Sequence, residues 1–220
     1  MLIEVLLVFH IAVLGYWLGS EFVINSEYRY VCRASSMPFP ERKKLMEHVM
    51  DVDQHVRYAL VLQAGLGTVL AALLGYIPGG TTLAWVAGTV GVAWLAFVEI
   101  IHRVRHGAGG QTLALIDRSI RYILLTVLIG IGVATALGAI SLQGWLAGKL
   151  FLFGCVMASG VGIRLSIIEF FRVWRDIDSN GSTPEKEKEI WWIYTWGTGI
   201  LILLWVFIAG IVILSVMKPW

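Results

Sequence analysis

Cysteine, proline and charge are all scarce in this sequence of 220 residues, which holds 2 cysteines, 5 prolines and 15% charged residues. Cys32 and Cys155 show no CxxC spacing, so the pattern excludes a disulfide framework and a zinc signature, and both side chains are expected to remain thiols. A soluble domain carries about a quarter charged residues. The low charge argues against such a domain, and the net charge of +2 gives no field that would attract nucleic acid.

Apolar stretches are abundant instead, with 58% hydrophobic residues and a mean hydropathy of +0.77. A helix needs about 20 mostly apolar residues to cross the hydrocarbon core, and lipid offers the backbone no other partner. The predicted fold is therefore all-α, one integral membrane domain over residues 1–220 with six transmembrane helices. The first is expected to be retained, since it lacks a basic start and a cleavage site. The predicted spans are 2–24, 58–77, 82–101, 122–141, 145–168 and 190–216.

Basic residues predict the orientation of these spans, because loops rich in lysine and arginine stay in the cytoplasm. Fourteen lie in the loops after spans one, three and five, against Lys149 and Lys218 on the opposite side. Both termini are therefore predicted to face outward from a bacterial inner membrane. The basic loop residues are Arg29, Arg33, Arg42, Lys43, Lys44, Arg57, Arg103, Arg105, Arg118, Arg121, Arg172, Arg175, Lys186 and Lys188.

Two further patterns concern local structure. Within the first basic loop, apolar residues at helical spacing over 40–56 predict a short amphipathic helix on the inner membrane surface. Ser182-Thr183-Pro184-Glu185 is typical of a helix start before the last span.

An internal repeat links spans two and three to spans four and five. Asp53-x-x-x-Arg57-Tyr58 opens span two, and Asp117-x-x-x-Arg121-Tyr122 opens span four. Both hairpins continue through a Gly-x-Gly and a tight turn to a Trp-x-Ala-Gly sequence. The pattern predicts two parallel copies of one hairpin, as occurs in transporters.

Ionisable residues inside a membrane are costly, so each is a functional hypothesis. His10 lies about 12 Å into span one at 1.5 Å per residue, where an imidazole can be a heme or metal ligand, a proton carrier or a structural group. Trp17, seven residues on, shares its helix face. Lys149 lies about 7 Å into span five; it either holds an anionic group, such as a heme propionate or a substrate carboxylate, or extends outward to the headgroups. We expect His10 and Lys149 to face one cavity in the outer half of the membrane.

A second set of histidines lies on the inner side. His55 and His102 are almost equally far from the turn near residue 79, which is the arrangement that two axial imidazoles of a heme require. They are equally explained as interfacial histidines, with His48 and His106 farther out. Glu4, Glu21 and Glu99, near span ends, are expected to reach the headgroups. Met46, His48 and Met50 offer soft and imidazole ligands for copper, or simply follow the spacing of a surface helix.

Several short motifs resemble a known family. Span one, with His10 followed by Tyr16-Trp17-x-Gly19, resembles the first helix of the HemJ-type protoporphyrinogen oxidases and the related CopD-like membrane proteins. Gly144-Trp145-Leu146-Ala147-Gly148-Lys149-Leu150 is similar to that family's Gly-Trp-Leu-x-x-Lys-Leu helix start. Phe171-Arg172-Val173 and the ending from Ile211 to Lys218-Pro219-Trp220 are similar to its C-terminal pattern.

The resemblance implies a heme b protein in which His10 is the axial ligand and Lys149 a second functional, or catalytic, residue. It also implies oxidation of protoporphyrinogen IX, with electrons passing toward quinone. Two departures stand out: an added hairpin, spans two and three, and the absence of the family's Tyr-His, replaced near Gly162-Ile163-Arg164.

The leading expectation is therefore a heme b membrane protein with a redox role, acting alone, as a homo-oligomer or as one subunit of a larger redox complex. The alternatives are a small copper transporter of CopD-like type, which the parallel repeat favours, and a non-catalytic membrane anchor. No Walker loop, dinucleotide fingerprint or nucleophile motif suggests another chemistry.

Overall fold

A computed structural model describes residues 1–105, 107 and 109–218. His106, Pro219 and Trp220, named above, lie outside these residues. The described chain forms six α-helices and, within those residues, no strand. The helices are α1 (Leu2–Arg33), α2 (Phe39–Leu73), α3 (Gly80–Val104), α4 (Gly110–Ala136), α5 (Gly144–Asn180) and α6 (Pro184–Met217).

All six helices are long and apolar enough to cross a membrane, so the predicted all-α, multi-pass fold is confirmed. Each predicted span falls on one helix, although span two ends four residues early, at Leu73, and span four ends five residues early, at Ala136. The segment predicted as a short helix, 40–56, is helical, but it is the first part of a longer helix. α2 continues without a break from Phe39 to Leu73, because no glycine or proline lies between Pro40 in its first turn and Gly65. The position of the segment on the membrane surface stays a prediction.

The chain divides into two compact units. Unit 1 comprises Met1–Tyr28 and Pro40–Asp117, and unit 2 comprises Arg29–Phe39 and Arg118–Trp220. Unit 1 thus holds most of α1 and α2, all of α3 and the start of α4. Both cysteines remain thiols.

In unit 1, α2 and α3 form an antiparallel hairpin whose register is visible at three levels. Tyr58 donates a hydrogen bond to Glu99, and a Cβ on Gly65 would lie 3.6 Å from the Cα of Gly91. A Cβ on Gly88 would lie 3.9 Å from a methyl carbon of Val69. In each pair the two residues are nearly the same number of positions from the turn at residues 78–79. Residues of α2 and α3 that are equally far from this turn in sequence therefore lie at the same height along the hairpin. Small residues at the middle level permit the close helix approach.

In unit 2, α4, α5 and α6 pack closely where glycines face other helices. A Cβ on Gly154 would lie 2.7 Å from the Ile129 side chain, and one on Gly132 would lie 2.6 Å from the Cβ of Phe151. Farther along α5, Phe170 is fully buried and its ring stacks on that of Trp174, with centroids 5.1 Å apart.

The two hairpins of the predicted repeat have the same construction. The first helix of each ends at a glycine with φ of 74°, Gly75 after α2 and Gly138 after α4. In both, the amide of the next residue donates at 2.9 Å to a carbonyl five residues back. This left-handed cap favours glycine because it has no Cβ. A shared cap at matching positions supports the repeat seen in the sequence.

Helices α5 and α6 extend beyond their apolar windows as a polar hairpin. Lys186 lies 2.8 Å from Asp176, and Lys186 and Asn180 together hold the pKa of the Asp176 carboxyl below its ordinary value through hydrogen bonds. The link between the helices is 181–183, and α6 starts at the predicted position, with Thr183 as N-cap and Pro184 in the first turn.

The Thr183 hydroxyl accepts a hydrogen bond from the Lys186 amide. Thr183→Ala removes this acceptor, so we expect the free energy of unfolding to fall by about 1 kcal/mol. Thr183→Ser keeps the hydroxyl and should remain close to wild type. Unfolding of the purified protein in mixed micelles measures both, and equal losses in the two variants would contradict a capping role.

Candidate functional site

One face of α1 carries a series of polar and aromatic side chains into the interior of unit 1. Trp17, Glu21 and Tyr28 follow His10 by 7, 11 and 18 residues, which is the spacing of one helix face. Trp17 is 2% exposed, Glu21 7% and Tyr28 9%. This face, and not the headgroup region, is therefore the environment of Glu21.

The first of these residues along α1, His10, contacts α2. Its Nε2 lies 3.4 Å from the amide nitrogen of Gln63, and a Cβ on Gly67 would lie 3.4 Å from its Cε1. The missing side chain of Gly67 therefore makes room for the imidazole edge. We call His10, Gln63 and Gly67 the midspan site.

The amide of Gln63 has one further property. Its Oε1 is buried without a hydrogen-bond partner, while its Nε2 faces a ring nitrogen that could itself carry a hydrogen. Oxygen and nitrogen of an amide are assigned from the surrounding hydrogen bonds. Turning the amide by half a rotation lets Oε1 accept a hydrogen bond from His10 Nε2–H. Gln63 then orients the imidazole.

A second set of polar side chains from α1, α2 and α3 lies 5 to 11 residues along the helices from the midspan site, or about 8–16 Å. The Tyr16 hydroxyl lies 2.5 Å from His55 Nδ1. Tyr58 donates to Glu99, which also accepts from Arg103 Nε at 2.5 Å. Trp17, Glu21 and Asp53 belong to the same set. We call the whole set the inner polar layer: Tyr16, Trp17, Glu21, Asp53, His55, Tyr58, Glu99 and Arg103.

Glu21 is the most deeply buried acid of the inner polar layer. The indole nitrogen of Trp17 donates to its Oε1 at 3.2 Å. Asp53 is close enough for its negative charge to act on Glu21. The nearby cation, Arg57, directs both Nε and Nη2 to Asp53 Oδ2 at 3.1 Å. The positive charge of Arg57 is therefore paired with the negative charge of Asp53.

The predicted pair His55 and His102 lies at one level, because the register of the hairpin is symmetric about its turn. Each ring already has a neighbour. His55 is exposed and bonded to Tyr16, and its ring meets that of Tyr58 edge-on. His102 Nδ1 lies 3.3 Å from a guanidinium nitrogen of Arg105. The bis-imidazole site stays a prediction.

Lys149 is half-buried in the second turn of α5, in unit 2, near enough to Lys218 for the two positive charges to repel. Lys218 in turn lies 5.4 Å from the ring centre of Trp145. His10 belongs to unit 1 and Lys149 to unit 2, so each is described within its own unit, and their shared cavity stays a prediction.

The expectation that three glutamates reach the headgroups has different outcomes for each of them. Glu21 is buried beside Trp17 and does not extend outward. Glu99 is held between Tyr58 and Arg103, and its position at the headgroups stays a prediction. Glu4 is exposed and lies 2.9 Å from the amino terminus. The buried indole of Trp17, an N–H donor, explains why Glu21 turns inward.

The structure separates the side chains proposed to bind copper. Met46 is buried, at 2% exposure, whereas the His48 side chain is 62% exposed and lies 3.7 Å from Glu27. Across residues 1–105, 107 and 109–218, no three His, Cys, Asp or Glu side chains are grouped as a metal site would require.

Comparisons with protein-family models, with curated proteins and with solved structures give no match to this chain.

Sequence reasoning missed Gln63 of the midspan site and the burial of Glu21, and it noticed Gly67 only as part of the Gly-x-Gly sequence of span two. For Glu21 a signal was present, since residues 7 and 11 positions after His10 share its helix face. Gln63 gave none, because which face of α2 meets α1 depends on packing that a single sequence does not specify.

Proposed function

We propose that this chain is a membrane protein that binds heme b through His10 and takes part in electron transfer. The observation that carries the proposal is the midspan site, where an imidazole inside an apolar span is held by Gln63 and fits over Gly67. Neutral imidazole is the usual axial ligand of heme iron. The resemblance of span one to the HemJ-type and CopD-like proteins supports the same cofactor.

The residues of the midspan site fit such a cofactor by their chemistry. A ligating histidine almost always directs its second ring nitrogen to a hydrogen-bond acceptor, which fixes the ring and strengthens the ligand. The orphaned Gln63 Oε1 is the acceptor that this role needs. When bound, heme supplies one-electron chemistry, and the protein supplies ligation, orientation and an apolar environment. Lys149 is the proposed partner of a propionate, and a membrane quinone is the proposed electron acceptor.

Absorption spectroscopy tests the proposal. We expect the protein, purified in detergent from cells supplied with a heme precursor, to show a Soret band and a pyridine hemochrome of heme b near one per chain. The protein is next reduced with dithionite, and the excess dithionite is removed. Addition of a quinone analogue should then return the absorption spectrum of the oxidised protein. A preparation that shows no Soret band, even after incubation with hemin, would contradict the proposal and favour a non-catalytic anchor subunit.

A further inference from the structure

Glu21 is a carboxyl group in an unusual position for an acid. Its side chain is 7% exposed on the inward face of α1 and is therefore largely withdrawn from water. Moving a carboxylate out of water without a cation costs so much that the group becomes neutral by taking up a proton. The state of Glu21 therefore depends on what surrounds it.

The described surroundings of Glu21 contain one donor and one charge. The donor is the Trp17 indole N–H on α1, which bonds to Oε1 at 3.2 Å. The charge is that of Asp53 on α2, which is negative and opposes ionisation of Glu21. The guanidinium of Arg57 is paired with Asp53 through two hydrogen bonds and therefore weakens the negative charge that Glu21 senses, so burial away from water is the main reason for Glu21 to take up a proton.

We propose that Glu21 is a proton-binding site of this protein, and that it holds a proton at neutral pH. Trp17 donates to Oε1, which leaves Oε2 as the oxygen that carries the proton. Because Asp53 is half-exposed, its side of the layer is where water and protons reach the site. Glu21 lies on the same face of α1 as His10, about 16 Å along the helix. It is placed to take up or release a proton when the charge at His10 changes.

Infrared spectroscopy tests the proton directly and needs no cofactor. A protonated carboxyl group has a carbonyl stretching band that an ionised carboxylate lacks, and the band moves to lower frequency in D₂O. We expect wild-type protein at pH 7 to show this band and Glu21→Gln to lose it. Glu4→Gln, which changes an exposed glutamate of the same helix, is the matched control and should keep the band. Trp17→Phe removes the donor to Oε1 and should move the band to higher frequency.

Labelling with ¹³C-glutamate makes the assignment independent of any substitution, since the band of a glutamic acid then shifts and that of an aspartic acid such as Asp117 does not. Absence of a label-sensitive band in the wild type, or its persistence in Glu21→Gln, would overturn the proposal. Because heme content is read separately in the visible spectrum, loss of the infrared band with heme retained contradicts only the role of Glu21. An intact infrared band without heme contradicts only the proposed function.

Discussion

His10→Ala is expected to leave the purified protein almost without heme. Loss of a group that only orients a ligating imidazole already costs about 10–100-fold in affinity, and loss of the ligand itself costs more. Gln63→Leu keeps the ligand and removes its hydrogen-bond partner, so we expect heme binding weakened by about 10–100-fold. Heme per chain, measured by pyridine hemochrome at fixed protein concentration, should therefore fall in the order wild type, Gln63→Leu, His10→Ala.

His48→Ala is the matched control, because His48 is exposed on α2 and lies 3.7 Å from Glu27, away from the midspan site. It should retain the full heme content. Added imidazole should partly restore the Soret band of His10→Ala, since a small ligand can enter the space that the side chain leaves. Full heme occupancy in His10→Ala would move the axial ligand elsewhere, with His55 and His102 as the next residues to replace.

Gly132→Ala should destabilise unit 2 strongly. A Cβ there would lie 2.6 Å from the Cβ of Phe151 and 3.3 Å from its Cα, and neither atom can move unless the helices separate. Overpacking of this kind costs about 1–3 kcal/mol. We expect the free energy of unfolding in mixed micelles to fall by that amount.

Gly130 provides the control on the same helix. A Cβ at Gly130 would meet nothing within 4 Å, so Gly130→Ala should leave stability within about 0.5 kcal/mol of wild type, as is usual for substitutions away from packed contacts. If both variants lose the same stability, helix α4 does not depend on the close contact at Gly132. If neither loses any, α4 and α5 can adjust their separation at little cost.

The helices could be predicted from the sequence because lipid leaves the backbone few alternatives. A span must be about 20 apolar residues long, and that length is visible without knowledge of packing. The continuity of residues 40–56 with span two was missed for a related reason. The thickness of the membrane sets the length of the apolar part of a helix only. The polar part of α2 is also helical, and the side chains of Met46 and Val49 within it are buried. Composition indicated the helix but not its continuity with span two.

The functional residues were predicted less completely, because a site depends on which helix faces which. His10 and Trp17 could be singled out as costly or conspicuous residues within one helix. Gln63 and Gly67 become meaningful only once α2 lies against α1, and neither residue type is unusual in a span. Because Glu21 lies near the end of span one, its side chain was expected to extend toward the headgroups. Its side chain instead points into the interior, where the Trp17 indole donates a hydrogen bond to it.

The length of α5 has a consequence for the charges at its end. Its 37 residues make it about 55 Å long, and the part after residue 168 measures about 18 Å along the helix axis. The headgroup layer is only about 5–7 Å thick on each side. The potential of anionic lipids decays within a Debye length of about 8 Å at physiological ionic strength. Asp176, 8 residues after residue 168, lies about 12 Å along the axis and thus within one Debye length of the headgroups, so its ion pair with Lys186 senses the acidity at the bilayer surface as well as that of the bulk solution.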